Sequence, residues 1–351
     1  VYQTYLVHIN SLYTRNGDLE LEWLFAKEDI TGAVADQLEL MEDEIRNAGD
    51  ILLRTTEPGD DIGTQCTKPY VCQFQGHCYK HIPENSVFDL AGTYKSKKFK
   101  LYYDGIVTFD DILECKIQLK EKAMMQIDAQ VNGIEVTDKK AVKKFMDTLW
   151  YPLYFLDFET INSAIPLYDG TRPYQQVPTQ YSLHYIENED GPLQHSEYLA
   201  PVGIDPRRPL VERLAADIPD DACVLAYNMS FEKSVISMLF RQYPDFGTKL
   251  NAIHHNIRDL MYPFQKRSVY KKEMKGSYSI KAVLPALFPN DSELSYENLP
   301  GVNNGMEAAA AYVAMMDMTP EEQERIRHEL LEYCKLDTLA MVRLWEWLDK
   351  I

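Results

Sequence analysis

YPLYFLDFET, residues Tyr151 to Thr160, is an apolar run of Tyr, Leu and Phe that carries two carboxylates, Asp157 and Glu159, close to its end. Such a run reads as a buried β-strand, and in a strand residues two apart point to the same face. Asp157 and Glu159 would then project side by side from a surface built for burial. Like charges about 6 to 7 Å apart on a half-buried surface repel, and desolvation adds to the cost unless a cation sits between them. A divalent metal site meets that requirement. The competing reading is a strand that emerges into solvent, with both acids hydrated, and for an isolated Asp-x-Glu that reading wins; the residues downstream change the balance.

Further acids lie downstream. Ala222 to Ala226 (ACVLA) reads as a short buried strand that runs into Tyr227-Asn228-Met229-Ser230-Phe231-Glu232, and Lys233 to Tyr243 is amphipathic and helical. Glu232 thus follows a strand and opens a helix, with Asn228 four residues earlier. Near the C-terminus, Glu321 to Trp347 holds one or two helical patterns, in which Tyr333 and Asp337 fall at i and i+4 on one face. Alone, that pair reads equally as solvated or packing residues.

Between these points, Pro166, Gly170, Pro173 and Pro178 mark a long loop, Thr179 to Glu187 and Leu193 to Leu199 alternate as strands, and Val211 to Asp217 reads as a helix. His184 and His195 on the alternating strands read as core or surface residues rather than ligands. Asp259 beside Arg258 is either an orienter of the acidic residues or half of a structural pair. Ser277, Ser279 and Lys281 open a helix after Gly276; hydroxyls and a lysine there either take a phosphate or cap the helix.

The chain has 351 residues, room for two domains, with the apolar and charged fractions of a globular protein. No run of about 18 apolar residues exists and nothing resembles a signal peptide, so the expectation is a cytoplasmic protein that does not enter a membrane. The chain falls straight from Val1 into an apolar segment, as expected of a fragment or processed product. The formal charge of −18 is awkward for a protein that holds a polyanion. Divalent ions can supply local positive charge, and two basic stretches with interleaved aromatics, Tyr94 to Lys100 and Lys266 to Lys281, are candidate contacts or solvated loops. Oligomeric state is not legible.

Gly32 to Ala48 reads as an amphipathic helix. After it, Cys66, Cys72 and Cys78 follow one another at equal spacing in CTKPYVCQFQGHCYKH, whereas Cys115, Cys223 and Cys334 are scattered and suit small packing roles. A cluster in a cytosolic chain reads as metal ligation before disulfides. His77 or His81 would complete a zinc site, and an iron-sulfur cluster would need one more thiolate. Three unligated cysteines in a loop is the alternative. Helical patterns at Phe109 to Cys115, Leu119 to Gln130 and Lys139 to Leu149 make a connector over residues 87–149.

The Tyr2 to Asn10 run with its Gln3-Thr4-Tyr5 start, together with Cys-x5-Cys-x5-Cys, resembles the C-terminal end of a Cas4/RecB-like PD-(D/E)XK nuclease domain with iron-sulfur cysteines. No Asp and Glu-x-Lys set of that nuclease occurs in the first ninety residues. The resemblance therefore implies an inactive remnant over residues 1–86, with a 4Fe-4S cluster or Zn²⁺ as the expected occupant of the cysteines.

The later motifs, in their order, resemble those of the DEDDy exonucleases: Asp157 and Glu159 match Asp-x-Glu, Asn228 to Glu232 match Asn-x-x-Phe-Asp with Glu in place of Asp, and Tyr333 with Asp337 match Tyr-x3-Asp. LDFET, PLYDGTRPYQQVPTQYSLHY, AYNMSFEK, IRDL, GSYSIKAVLPAL and YCKLDTLAM also resemble a bacterial family known as DUF2779. The resemblance implies an α/β fold of the RNase H-like, DnaQ-like type over residues 150–351, a mixed sheet with flanking helices, preceded by a smaller, mostly helical, cysteine-containing region. It implies two Mg²⁺ or Mn²⁺ ions, with Asp157 shared between them, Glu159 and Asp337 on either side and Glu232 completing the set. Tyr333, whose ordinary pKa near 10 makes it a poor base, would orient the attacking water. Asn228, Ser277, Ser279 and Lys281 would contact substrate.

The expected activity is 3′-5′ exonucleolytic hydrolysis of single-stranded DNA or RNA from its 3′ end, with DNA favoured by the association with a RecB-like part. A non-catalytic nucleic-acid-binding or scaffolding module is the alternative, in which Glu232 marks a decayed site. An enzyme of nucleotides or small phosphoesters is a third.

Overall fold

A computed structural model of the chain describes residues 3–299 and 301–351; Tyr2, with which one expected run opens, lies outside them. The chain divides into two compact units, one of Val1–Pro83 with Ser163–Gln175, the other of Glu84–Asn162 with Gln176–Ile351. No helix of the described residues is long and apolar enough to cross a membrane.

In the first unit, β1 (Tyr5–Ile9) and β2 (Phe25–Asp29) form an antiparallel pair. The amphipathic pattern after them becomes the helix Thr31–Leu52. The Pro-rich loop expected inside the sheet region folds back into this unit: the Arg15 guanidinium donates to the carbonyls of Pro166 and Leu167 at 3.0 and 2.8 Å. The cysteine stretch runs through a 3₁₀ turn, Thr64–Thr67, and a short helix, Gln75–Cys78.

The expectation of a cysteine-held metal is corrected here. Cys66, Cys72 and Cys78 are free, Cys72 is exposed, and among the described residues their sulfurs form no converging ligand group. Candidate ligands are engaged elsewhere: the Cys66 sulfur accepts from the Gly63 amide and His77 turns to Glu57 at 2.7 Å, while the Cys72 amide closes the loop back to the Cys66 carbonyl. Among the described residues the three cysteines are thus not clustered, contrary to the expectation from their equal spacing.

The helices read as a connector are part of the second unit. Lys95–Tyr103, Phe109–Glu114 and Glu121–Asn132 bury Val87, Leu90, Leu101, Phe109, Ile112, Ala123 and Ile127 against one another. Lys139–Met146 sends Val142 and Phe145 into the main core. Strand β3 (Val136–Thr137) pairs antiparallel with the strand Val269–Tyr270.

Five strands make the central sheet: β4 (Leu153–Ile161), β5 (Val177–Ile186), β6 (Gln194–Leu199), β7 (Cys223–Ala226) and β8 (Ile257–Asp259), in the order β6-β5-β4-β7-β8. The pairs β6-β5 and β5-β4 are antiparallel, and β4-β7 and β7-β8 parallel. The strand β9 (Val269–Tyr270) completes the pair with β3.

Alternation along β4 separates two cores. Tyr154, Leu156 and Phe158 face the helices Arg207–Asp217, Ser230–Gln242 and Gly247–Asn256. Leu153 and Phe155 face the helix Pro320–Asp349, one continuous 30-residue element whose Thr319 and Glu322 form a capping box. The period of two therefore puts Asp157 and Glu159 on the side of the long helix.

Gly276 is a point where backbone geometry is demanding. Its φ is +79°, and a Cβ there would lie 2.7 Å from both the Ala91 Cβ and the Gln126 Oε1. Gln126 in turn accepts from the Ala91 amide and donates to the Asp89 carbonyl, tying the connector helices down. Gly276→Ala is expected to destabilise the protein by about 2 kcal/mol or more, through the strained φ and the clash together; a chemical melt with an unchanged midpoint would contradict this.

Candidate metal centre

The C-terminal end of β4 delivers Asp157 and Glu159. The end of β7 turns at Asn228, which adopts φ +70°, and enters the helix Ser230–Gln242 with Glu232 in its first turn. Asp259, at the end of β8, pins this turn: its Oδ1 accepts from the amides of Asn228 and Met261, each at 3.0 Å. Asp259 thus acts through backbone amides that hold the turn before Glu232, while the Arg258 guanidinium lies over the Trp150 ring. The long helix delivers Tyr333, Cys334 and Asp337.

Ligand oxygens of Asp157, Glu159 and Asp337 all lie within 4.8 Å of one another, which makes this the one such group of three among the described residues. At that separation each ionised pair repels by about 3.5 kcal/mol at an effective dielectric of ~20. Burial, reinforced by the charges of Asp337, Glu159 and Glu232, pushes the Asp157 carboxyl well above the usual carboxylate range. Burial lifts Glu159 to about 8, with Asp337 adding to the rise and the Lys281 ammonium opposing it. Asp337 rises to about 6, again through burial, held back by a hydrogen bond from Tyr296 and by Lys281.

Glu232 is only 2 % exposed, and its Oε2 is buried with no hydrogen-bond partner. Burial raises it to about 8. It stands outside the group of three but close enough for its charge to raise both Asp157 and Glu159. An orphaned buried carboxylate oxygen costs free energy unless a proton or a cation meets it. The donor set is all oxygen and all acidic, which fits Mg²⁺ or Mn²⁺ and not a thiophilic metal.

Several neighbours complete the setting. The buried Cys334 thiol donates toward Asp157 Oδ2 at 3.6 Å and its carbonyl at 3.8 Å, a directed contact rather than the plain packing expected of it. Tyr333 is 5 % exposed, and burial with the charge of Asp337 pushes its phenol up, so it is a donor at neutral pH. The hydroxyl of Tyr296 donates to Asp337 Oδ1 at 2.5 Å, and its ring centroid stands 6.2 Å from that of Tyr333. Lys281 holds its Nζ 5.0 Å from the Tyr296 centroid and 6.0 Å from that of Tyr333, and donates to the Asn303 carbonyl at 3.0 Å.

Of the expected substrate contacts, Lys281 therefore reaches the acidic group. Ser277 and Ser279 stay at the start of the helix Ile280–Leu287, where the Ser277 hydroxyl accepts from the Ser279 amide. The Asn228 side chain accepts from the Ser230 hydroxyl. His184 is buried and bonds Thr338 through Nδ1, and His195 bonds Ser182.

Tyr296 was not legible in advance, because it sits 41 residues from Asp337 in a segment with no periodic pattern. Tyr296→Phe removes a donor to a buried carboxylate, and is expected to cost about 1.5 to 3 kcal/mol at pH 8 and much less at pH 5, where Asp337 holds its own proton. Equal losses at both pH values in metal-free melts would contradict the assigned bond.

Residues 154–279 match the family described as DUF2779, a domain of unknown function. That span takes in Asp157, Glu159, Asn228, Glu232 and Asp259, and ends before Tyr296, Tyr333 and Asp337. Among curated proteins, the chain is 27% identical over 228 residues to the "Uncharacterized protein MG366 homolog" of Mycoplasma pneumoniae, covering 59% of this chain and 34% of that one. It is 27% identical over 219 residues to the "Uncharacterized protein UU173" of Ureaplasma parvum, covering 56% and 31%. The matches thus span about a third of the length of these relatives. No solved structure matches the chain.

Proposed function

We propose that the second unit is a divalent-metal-dependent 3′-5′ exonuclease of RNase H-like, DnaQ-like fold, acting on single-stranded nucleic acid. The observation that carries this reading is the convergence of Asp157 and Glu159, neighbours on one strand, with Asp337 from the distant C-terminal helix, beside the buried Glu232 with its unpartnered oxygen. Three antiparallel strands continued by two parallel ones agree with that fold. Direction and substrate rest on the resemblance of the Asp-x-Glu, Asn-x-x-Phe-Glu and Tyr-x3-Asp motifs to the DEDDy exonucleases, and DNA is favoured over RNA through the RecB-like likeness of the first unit.

Asp157, Glu159 and Asp337 would hold the ions, with Glu232 closing the set. Bound there, Mg²⁺ or Mn²⁺ supplies a nucleophile at neutral pH and neutralises the departing oxygen. The protein's own part is positioning. Cys334 orients Asp157, Tyr296 orients Asp337, and the neutral Tyr333 phenol donates a hydrogen bond that aims the attacking water or a scissile phosphate oxygen. Lys281, close to Glu159 and Asp337, offsets their charge and can take a phosphate oxygen.

The test is incubation of 5′-labelled single-stranded DNA and RNA with Mn²⁺, with and without EDTA. A ladder shortened from the 3′ end and erased by EDTA is expected. Binding without cleavage of either polymer would move the assignment to a non-catalytic nucleic-acid-binding module.

A further inference from the structure

We propose that the helix Lys95–Tyr103, with Tyr94 and Lys120, is a docking surface for single-stranded nucleic acid, separate from the acidic group. The proposal rests on the nucleolytic reading for its biological sense but on different residues for its chemistry. Residues 84–149 contain as many lysines as carboxylates, so the whole of the −18 charge belongs to the rest of the chain. Within that neutral stretch the charge is segregated: Tyr94 to Tyr103, YKSKKFKLYY, holds Lys95, Lys97, Lys98 and Lys100 and no acid.

The geometry turns this run into a surface. Phe99 and Leu101 anchor the helix in the core beneath it, and Lys98 donates to the Phe88 carbonyl at 2.7 Å. Lys95, Lys97 and Lys100 are exposed on the outer side, Lys100 with its Nζ 3.6 Å from Asp104 in a solvent-open pair. Lys120 comes in from the start of the helix Glu121–Asn132, its Nζ 5.5 Å from the Tyr94 centroid. Tyr94 is 75% exposed and Tyr103 58%. Tyr103 is not loose: its ring stacks on Phe99 at 6.2 Å and packs against Tyr102 at 5.5 Å, so an open aromatic face is held on a rigid base. The other basic stretch is partly engaged within the fold, with Arg267 buried on Tyr270 and Lys271 near Glu135, and its exposed Lys266, Lys272 and Lys275 are not gathered on one helix.

Lysines interleaved with exposed, anchored aromatic rings match a single strand, whose phosphates take the charges and whose unstacked bases take the rings. A membrane surface would ask instead for exposed aliphatic residues beside the lysines, and the exposed large side chains here are tyrosines. On a chain this acidic, such a patch gives a polyanion one place to land, and holds it while its end reaches the acids.

The measurement is binding of a fluorescent single-stranded oligonucleotide to the full chain in EDTA, as a function of salt. Lys97→Ala, Lys100→Ala and Lys120→Ala combined should weaken binding by about tenfold or more at low salt and flatten the log-log salt slope by about 2. Tyr94→Ala alone should weaken it by about fivefold or more with the slope unchanged. A control removing Lys139, Lys140 and Lys144, the same charge from another helix, should do much less. Equal loss in the control, no binding by wild type, or binding to anionic vesicles but not to the oligonucleotide overturns the surface. Patch-dependent binding with no cleavage under Mn²⁺ would keep the surface and remove the nuclease reading; cleavage with patch-independent binding would do the reverse.

Discussion

Asp157→Ala is expected to lower the rate of Mn²⁺-dependent cleavage by about a thousandfold or more, and Tyr333→Phe by about tenfold to a hundredfold. The difference follows from what each residue touches. Asp157 stands among the other acids, with the Cys334 thiol directed at its carboxylate, and on the proposed reading it is the ligand that the two ions would share. Tyr333 contributes a hydrogen bond, and its ring still packs as Phe. A comparison of product ladders for the three proteins reads both numbers. Full activity in Asp157→Ala would remove the acidic group from the chemistry, while an unimpaired Tyr333→Phe would leave the group but take the phenol out of it.

The second large effect needs no substrate. In the absence of divalent ions the protein is expected to lose stability as pH rises from about 6.5 to 8.5, and Mg²⁺ or Mn²⁺ is expected to restore it. Glu159 and Glu232 have folded pKa values raised to about 8 from an ordinary 4.5. Between those values the folded protein keeps protons that the unfolded chain has released, so stability falls as pH rises, and the loss is complete above the folded values. At about 1.4 kcal/mol per pKa unit, the upper bound for Glu159 alone is about 5 kcal/mol over the whole range from 4.5 to about 8, of which about 2 kcal/mol falls above pH 6.5.

His184, lowered to about 3 by burial, works in the opposite direction, but only below the ordinary histidine value of 6.5, which is why the window starts there. A cation at a hundred times its dissociation constant returns about 2.7 kcal/mol. Asp157→Asn should raise the metal-free melting temperature at pH 8 and erase the response to metal. A melting temperature that is flat across this window, and indifferent to Mn²⁺, would mean that the acids are not a cation site.

Much of this was legible in the chain itself. The period of two in YPLYFLDFET placed Asp157 and Glu159 on one face, and that face is the one the long helix covers. The period of 3.6 around Tyr333 and Asp337 put phenol and carboxylate together on that helix. These patterns are local, so they survive translation into structure: a strand or helix presents its residues in a fixed order whatever packs on it. Equal spacing of Cys66, Cys72 and Cys78 was a weaker kind of signal. Ligation needs three sulfurs to meet at a point, and the spacing of a loop does not determine where its side chains aim.

The sequence alone therefore determined many of the elements and the faces of β4 and the long helix, while the helices Lys95–Tyr103 and Gly247–Asn256 were not read from it. Only the tertiary structure decided that Asp337 meets Asp157 and Glu159 within 4.8 Å, that Glu232 is buried with an unpartnered oxygen, and that Tyr296 and Lys281 reach the same acids from the 280–304 segment. It also decided that residues 84–149 belong to the second unit while 163–175 belong to the first. Contacts of this kind depend on how separate elements pack, and packing is settled by the shape and burial of whole faces rather than by any run of neighbouring residues.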